Sequence, residues 1–493
     1  MKTTHYAGFI FGVLLVVYAY FFPRWAEWNQ NSRFDLVLAV VDQGTLAIDA
    51  YRQNTGDYAV YKGHYYSDKA PGTAFLGIPV YWGFRTFLAP LLTNTIVPRL
   101  ATNPAFAATL NPEGTGLLEN KIYFFMALTF VTFFVVAIPS AGLGVLFYRL
   151  AENFSGNRFN ALALTFAFAL ATPAFAYSNL FYGHQIVAFC LFAAFYLLFH
   201  DRSNSRALSL IAIGFLCGWA LITEYPSVLI VAGIGLYALY RVRDWRKWIW
   251  LGLGGLPPLV LAALYNWTIF GTPLPVGYEY SELWQDVHQQ GFFSITAPSV
   301  EAIWGITFSP YRGLFYLAPF LLLSIPGFFF FWRAKSYRAE FWVALWSVII
   351  FFLFNGSSVM WTGGFSVGPR YLVPMLPFLA LPIIFVFEAI RNRWLAIVVG
   401  LLAVVSWAIV WIETIGGQSF PQNQATPLLD YSLPRLLAGD IARNVGMILG
   451  LRGWMSLLPL VLLACGMVFI GLWWLPRPIS FAFTARGQNL NAD

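Results

Sequence analysis

Long apolar runs separated by short polar breaks dominate the chain. They lie at 6–22, 122–148, about 159–177, 182–199, 206–222, 226–240, 247–269, 313–332, 340–356, 371–389, 394–414 and 455–475. A helix needs about 20 apolar residues to cross a bilayer, so most of these runs predict membrane-spanning helices. The 226–240 run is short and is accommodated by tilt or by its neighbours. The pattern predicts an all-α fold, a polytopic transmembrane helix bundle of about twelve spans, plus or minus one, forming a single domain over residues 1–493.

The polar breaks alternate in character. RLAENFSGNR, HDRSNSR, RVRDWRK, WRAKSYR and RNR (391–393) are basic, whereas YSNLFYGH, TEYP and 271–311 contain no Lys or Arg. The positive-inside rule places the basic set and both termini in the cytoplasm. The segments 23–121, 270–312, 357–370 and 415–454 are then extracytoplasmic, the last without a motif. The first run, preceded by Lys2 and followed by Pro23-Arg24-Trp25, reads as an uncleaved anchor. A further apolar stretch, 72–92, would invert this topology if it spanned, so it reads as a juxtamembrane or re-entrant piece.

Composition narrows the class. Of 493 residues, 59% are hydrophobic and 10% charged, against about 25% charged in soluble proteins. The net charge of +7 sits mainly in the short basic loops, where it sets orientation and gives no reason to expect nucleic acid. Cys190, Cys217 and Cys465 lie within apolar runs, which excludes a disulfide framework. No HExxH or CxxC spacing occurs. No cofactor is implied, although the loop carboxylates leave room for one divalent cation. Glycines in LGLGG (251–255) fit close helix packing better than phosphate binding.

The candidate chemistry lies in the first external loop. Residues 31–72 carry Asp35, Asp42, Asp49, Asp57 and Asp68 beside Arg33, Arg52, Lys62 and Lys69. Ser32-Arg-Phe-Asp35 matches a capping box and Gly44 supplies a stop. Phe34, Val37, Leu38 and Val41 form an apolar stripe suited to lying on the membrane surface, with Asn31, Asp35 and Asp42 opposite. Asp35 then reads as a cap or as a functional carboxylate. Asp49 lies at the helix exit where capping is harder to invoke. Residues 58–61 and 64–67 flank Lys62-Gly63 as a hairpin. It returns Ser67-Asp68-Lys69-Ala70-Pro71 to the membrane, with Lys69 as a snorkelling anchor or a phosphate ligand.

Other external helix ends repeat polar chemistry: Tyr182-Gly-His184, Thr223-Glu224-Tyr225-Pro226, Tyr311-Arg312-Gly313, and Trp361 to Tyr371 with Arg370 after a glycine-rich turn. Snorkelling does not explain Glu224. Together these groups suit a substrate with a lipid tail, a phosphate and a reacting hydroxyl. The expected catalytic carboxylates are Asp49 and Asp35. Lys69, Arg370, Arg33 and His184 are expected on the phosphate, and Asp68, Glu224, Tyr371 and Tyr66 on the remaining substrate.

The order of anchor span, carboxylate-bearing loop and Lys-x-Pro segment (YYSDKAPG, 65–72), with WTGGFSVGPRYLVPMLPFL at 361–379, resembles the GT-C superfamily of polytopic glycosyltransferases. Its aminoarabinose transferases and protein O-mannosyltransferases are the nearest in pattern. The resemblance implies an inverting transfer of a hexosyl or pentosyl group in a bacterial plasma membrane. It also implies a polyprenyl-phosphate sugar donor, membrane lipid as surroundings, and an extracytoplasmic lipid, protein or glycan acceptor. The sequence departs from the family where Asp-Glu precedes Arg-Tyr, here Asn31-Ser32-Arg33-Phe34. Two other classes remain: a flippase or transporter of lipid-linked sugars, with charges at mid-span and duplicated halves, and a non-catalytic assembly subunit.

Overall fold

The computed structural model describes residues 2–24, 27–103, 106, 120–201, 206–288, 290–291, 294–390, 392–420 and 424–474. Each of the twelve apolar runs is helical there. Six belong to the seven helices that are long and apolar enough to cross a membrane, and six to shorter apolar helices such as His184–His200. Apart from isolated bridges, the described residues form one two-stranded sheet. Parts of the basic loops, 202–205 and Arg391, lie outside the described residues.

The seventh long helix, Gly72–Thr93, is the stretch expected to be juxtamembrane or re-entrant. It does not fold back. It is continuous through Pro79 and a π-helical turn at Phe84–Leu88. Its first half follows the first-loop helix, because a Cβ on Gly77 would touch Val37 and because Tyr81 and Arg85 both bond Asp42, at 3.0 and 2.9 Å.

Glycine permits a close helix approach in the bundle. A Cβ on Gly254 would meet the Ile211 carbonyl oxygen at 2.0 Å, and one on Gly214 the Leu251 carbonyl oxygen at the same distance. Helices Ala207–Thr223 and Trp248–Phe270 therefore pack backbone to backbone, as the LGLGG run suggested.

The loops sort to two ends. Tyr337 Oη donates to the Asn153 carbonyl, Asn160 Nδ2 bonds Glu388, and Arg241 pairs with Glu340, gathering the basic loops at one end. At the other end, Phe22 N–H donates to the Arg443 carbonyl at 2.9 Å and Arg24 to the Thr414 carbonyl at 2.5 Å. Residues 416–420 and 424–444 are thereby tied to the start of the first loop.

The first-loop helix departs from expectation. It runs Trp28–Leu38, so Ser32 and Asp35 are interior residues and not a capping box. The apolar stripe is real, but both faces are buried from Asn29 to Leu38. The helix is packed inside protein and does not float on a membrane surface. A π-helical turn, Ala39–Gln43, ends at Gly44 as expected, with φ 68°. Asp42 sits in that turn against the unfavourable end of the helix dipole, and Arg85, Tyr51 and Tyr81 offset its charge.

The glycine contact yields a test. Gly254→Val should lower the thermal midpoint of the detergent-solubilised protein, overpacking the contact by about 1–3 kcal/mol. Gly252→Val, where a Cβ meets nothing within 4 Å, should leave it nearly unchanged.

Candidate functional site

Five chain segments bring their polar ends together at the end of the bundle away from the basic loops. The hairpin contributes first. Strands Tyr58–Tyr61 and His64–Ser67 pair in the register Tyr58↔Ser67, and the two-residue turn takes positive φ at Lys62 (51°) and Gly63 (84°), as a tight hairpin requires. This register carries Asp57 and Asp68 to opposite sides of one point. Lys69 Nζ occupies it, 3.0 Å from Asp57 Oδ2 and 3.1 Å from Asp68 Oδ1.

These three groups are nearly removed from water, with side chains at most 10% exposed. Burial opposes ionisation of Asp57, but the Lys69 ammonium and the Trp284 indole N–H outweigh it and hold the carboxyl below its ordinary value. Asp68 goes the other way. Burial and the neighbouring Asp57 raise it despite Lys69. Lys69 itself is held above its ordinary value, because two carboxylates overcome the burial that disfavours its charge.

The first-loop helix supplies Arg33. Its guanidinium pairs with Glu224 Oε1 at 2.7 Å and donates to the Ala70 carbonyl at 3.1 Å, Thr73 Oγ1 at 3.4 Å and Asn29 Oδ1 at 3.3 Å. Arg33 thus clamps the residue after Lys69 onto the break between helices Ala207–Thr223 and Val228–Arg241. Glu224 leaves the first of these in an extended conformation, φ −147° and ψ 110°. That break also brings Glu224 within 3.4 Å of His184 Nδ1, at the start of helix His184–His200.

Arg370 completes the group. Arg312 braces the glycine-rich turn before it, donating to the carbonyls of Thr362, Ser366 and Gly364 at 3.2, 2.9 and 2.7 Å. Arg370 stacks over the rings of Tyr182 and Tyr371, 5.5 and 5.0 Å from their centroids, and donates to Tyr371 Oη at 3.1 Å. Among the described residues no carboxylate forms an ion pair with it, and its Nε is buried without a hydrogen-bond partner. Yet its field reaches Glu27, Asp57 and Lys69. Glu27, just ahead of the first-loop helix, accepts from Phe420 N–H at 3.1 Å, and burial pushes its carboxyl up to about 7.

The expected residues divide accordingly. Lys69, Asp68, Arg33, Glu224, His184, Arg370 and Tyr371 converge, the last with its ring 5.7 Å from that of His184. Tyr66 lines the hairpin, its ring 6.2 Å from that of Phe270. Asp49 and Asp35 bond elsewhere. Asp49 is 44% exposed at the hairpin edge, accepting from Tyr65 N–H and His64 Nδ1, each at 2.7 Å. Asp35 is fully buried, accepts from Asn54 Nδ2 at 2.9 Å, and burial drives its carboxyl well above the ordinary range. Burial without a neighbouring cation disfavours the carboxylate form that a base requires.

Sequence reading missed Asp57, Glu27 and Trp284. The signal for Asp57 was available, because a hairpin turning at Lys62-Gly63 places residue 57 across from residue 68. No comparable signal marks Trp284, 227 residues away from Asp57. As a cation site, Asp57 and Asp68 flank a common point that the Lys69 ammonium fills. Among the described residues no group of three or more His, Cys, Asp or Glu side chains gathers around a metal position.

No protein-family model matches the chain, and no curated protein sequence matches it. Among solved structures the chain is similar to ArnT from Cupriavidus metallidurans in the apo state, at 16% identity and a TM-score of 0.49, over 95% of this chain and 74% of that one. It is also similar to the same protein bound to undecaprenyl phosphate, at 16% identity and a TM-score of 0.46, over 94% and 73%.

Proposed function

We propose that the chain is a membrane glycosyltransferase that moves a sugar from a polyprenyl-phosphate-linked donor to an acceptor hydroxyl at the external face. The observation that carries this reading is Arg370, a half-buried guanidinium with no carboxylate partner among the described residues. It lies within the field of the Asp57–Lys69–Asp68 group. A guanidinium in this state is matched by an anion that arrives from outside, and its planar fork suits a phosphate. The apolar helices around it suit that anion's lipid tail.

The chemistry follows from the charges. Asp57, held ionised, takes the proton of the acceptor hydroxyl. The acceptor oxygen bonds to the anomeric carbon as the bond from that carbon to the phosphate oxygen breaks. The electron pair leaves with the lipid phosphate. Direct displacement inverts the anomeric centre. Arg370 and Lys69 stabilise the charge that grows on the phosphate, while Arg33, locked on Glu224, holds the Lys69 segment in place. Asp57 replaces Asp49 and Asp35 as the preferred base because it is the one of the three that touches Lys69.

The test is release of polyprenyl phosphate by the purified protein in proteoliposomes, supplied with a panel of polyprenyl-phosphate sugars and acceptors. Lys69→Ala, Arg370→Ala and Asp57→Asn should each lower turnover by about 10²–10³-fold, while Asp49→Asn should stay within a few-fold of the parent. Full turnover by Asp57→Asn would reject the assigned base, full turnover by all three would reject the assigned site, and no turnover by the parent with any donor and acceptor would reject the enzyme reading. Arg370→Lys, which keeps the charge but not the fork, should fall between parent and Arg370→Ala. Movement of one donor across the bilayer without turnover would favour the transporter class instead.

A further inference from the structure

Both carboxylates that flank Lys69 give a second oxygen to the same external segment. Ser281 Oγ donates to Asp68 Oδ2 at 3.0 Å, and Trp284 Nε1 donates to Asp57 Oδ1 at 3.0 Å. The segment is itself fixed to the hairpin. Glu282 N–H donates to the Tyr58 carbonyl at 3.1 Å, and Ser281 forms an antiparallel bridge with Ala59. The Tyr280 ring lies 4.9 Å from that of Tyr61 and stacks on Phe270 at 5.3 Å. Residues 280–284 are thus docked on the hairpin through one isolated bridge and ring contacts, and the side chains of Ser281 and Trp284 reach the charged group.

The two donors differ in a way that matters. A hydroxyl rotates and both donates and accepts, whereas an indole N–H only donates and is fixed to a large ring. Asp57 therefore has Oδ2 on Lys69 and Oδ1 on a rigid donor. Its carboxylate plane is set, and each oxygen keeps a further lone pair for an incoming hydroxyl. We propose that Trp284 is a positioning residue for the transfer reaction, holding Asp57 in the orientation in which it accepts the acceptor's proton. This rests on the function assigned to Asp57 above.

The groups whose fields bear on Asp57 come from every neighbouring element. Lys69 and Asp68 stand at the hairpin exit, Glu27 precedes the first-loop helix, Arg370 ends the glycine-rich turn, and Tyr182 precedes helix His184–His200. On the segment of Trp284 itself, Glu282 and Asp286 are exposed. Removing the indole N–H takes away an interaction that is stronger with the charged form, so the Asp57 carboxyl should rise toward its ordinary value.

The experiment is the pH dependence of kcat/KM for the full chain in proteoliposomes, for the parent, Trp284→Phe, Asp57→Asn and the double variant. Trp284→Phe should move the acidic limb upward by about one pH unit and recover most activity above it. It should cost nothing further in the Asp57→Asn background. Trp284→His, which keeps a ring N–H, should leave the limb near the parent position. An unmoved limb in Trp284→Phe, a limb moved as far by His as by Phe, or an equal fold-loss from Trp284→Phe in both backgrounds would overturn the proposal. Parent-like turnover by Asp57→Asn would instead overturn the role of Asp57 from which it starts.

Discussion

A helix built of polar residues and buried on all sides must find a partner for each side chain. Trp28–Leu38 carries Asn29, Gln30, Asn31, Ser32, Arg33 and Asp35 into the protein interior, where a polar group without a partner costs about 1–3 kcal/mol. Its partners are drawn from the parts that build the site. Ser32 bonds Ser67 at 2.8 Å just before Asp68, Asn31 bonds the Asn54 carbonyl at 2.8 Å, and Gln30 accepts from Phe181 N–H at 3.3 Å. Arg33 ties the loop to Glu224. Breaking such a buried ion pair costs about 3–5 kcal/mol because it leaves a charge behind. Satisfying this helix therefore positions the hairpin, the break at 224 and the start of helix His184–His200 together.

The electrostatics of the site follow from that placement. Lys69 lies between two carboxylates and Arg33 is matched by Glu224, so both cations have counter-charges within the fold, while the third N–H donor of the Lys69 ammonium is left for a ligand. Arg370 forms no such pair among the described residues and rests on aromatic faces instead. Aromatic rings attract a guanidinium without neutralising it, which leaves its charge for a ligand. Arg312 has the complementary task. It donates to three backbone carbonyls of the turn and fixes the approach of Arg370.

Much of the architecture was legible along the chain. Apolar runs mark helices because their pattern is local, and the Lys62-Gly63 turn marks a hairpin because positive φ is a local demand. Ser32-x-x-Asp35 misled for the same reason. The motif is a cap only at a helix start, and the start here lies at Glu27, where no cap residue signals it. The amphipathic stripe likewise gave the correct apolar face, while the burial of the polar face depends on residues 54, 67, 70 and 224. Asp49 and Asp35 stand out along the chain as the carboxylates of the first-loop helix and its exit, whereas strand register carries Asp57 to Lys69. Trp284 was beyond reach, since only tertiary docking of a segment distant in sequence brings it to Asp57.

The measurement that bears most directly on this account is the position of a bound lipid phosphate. The chain reconstituted in lipid nanodiscs with polyprenyl phosphate, and imaged by cryo-electron microscopy, should hold the phosphate within hydrogen-bond distance of both Arg370 and Lys69. Its tail should lie among the apolar helices. A phosphate bound away from Arg370, with the Asp57–Lys69–Asp68 group closed and unchanged, would contradict it.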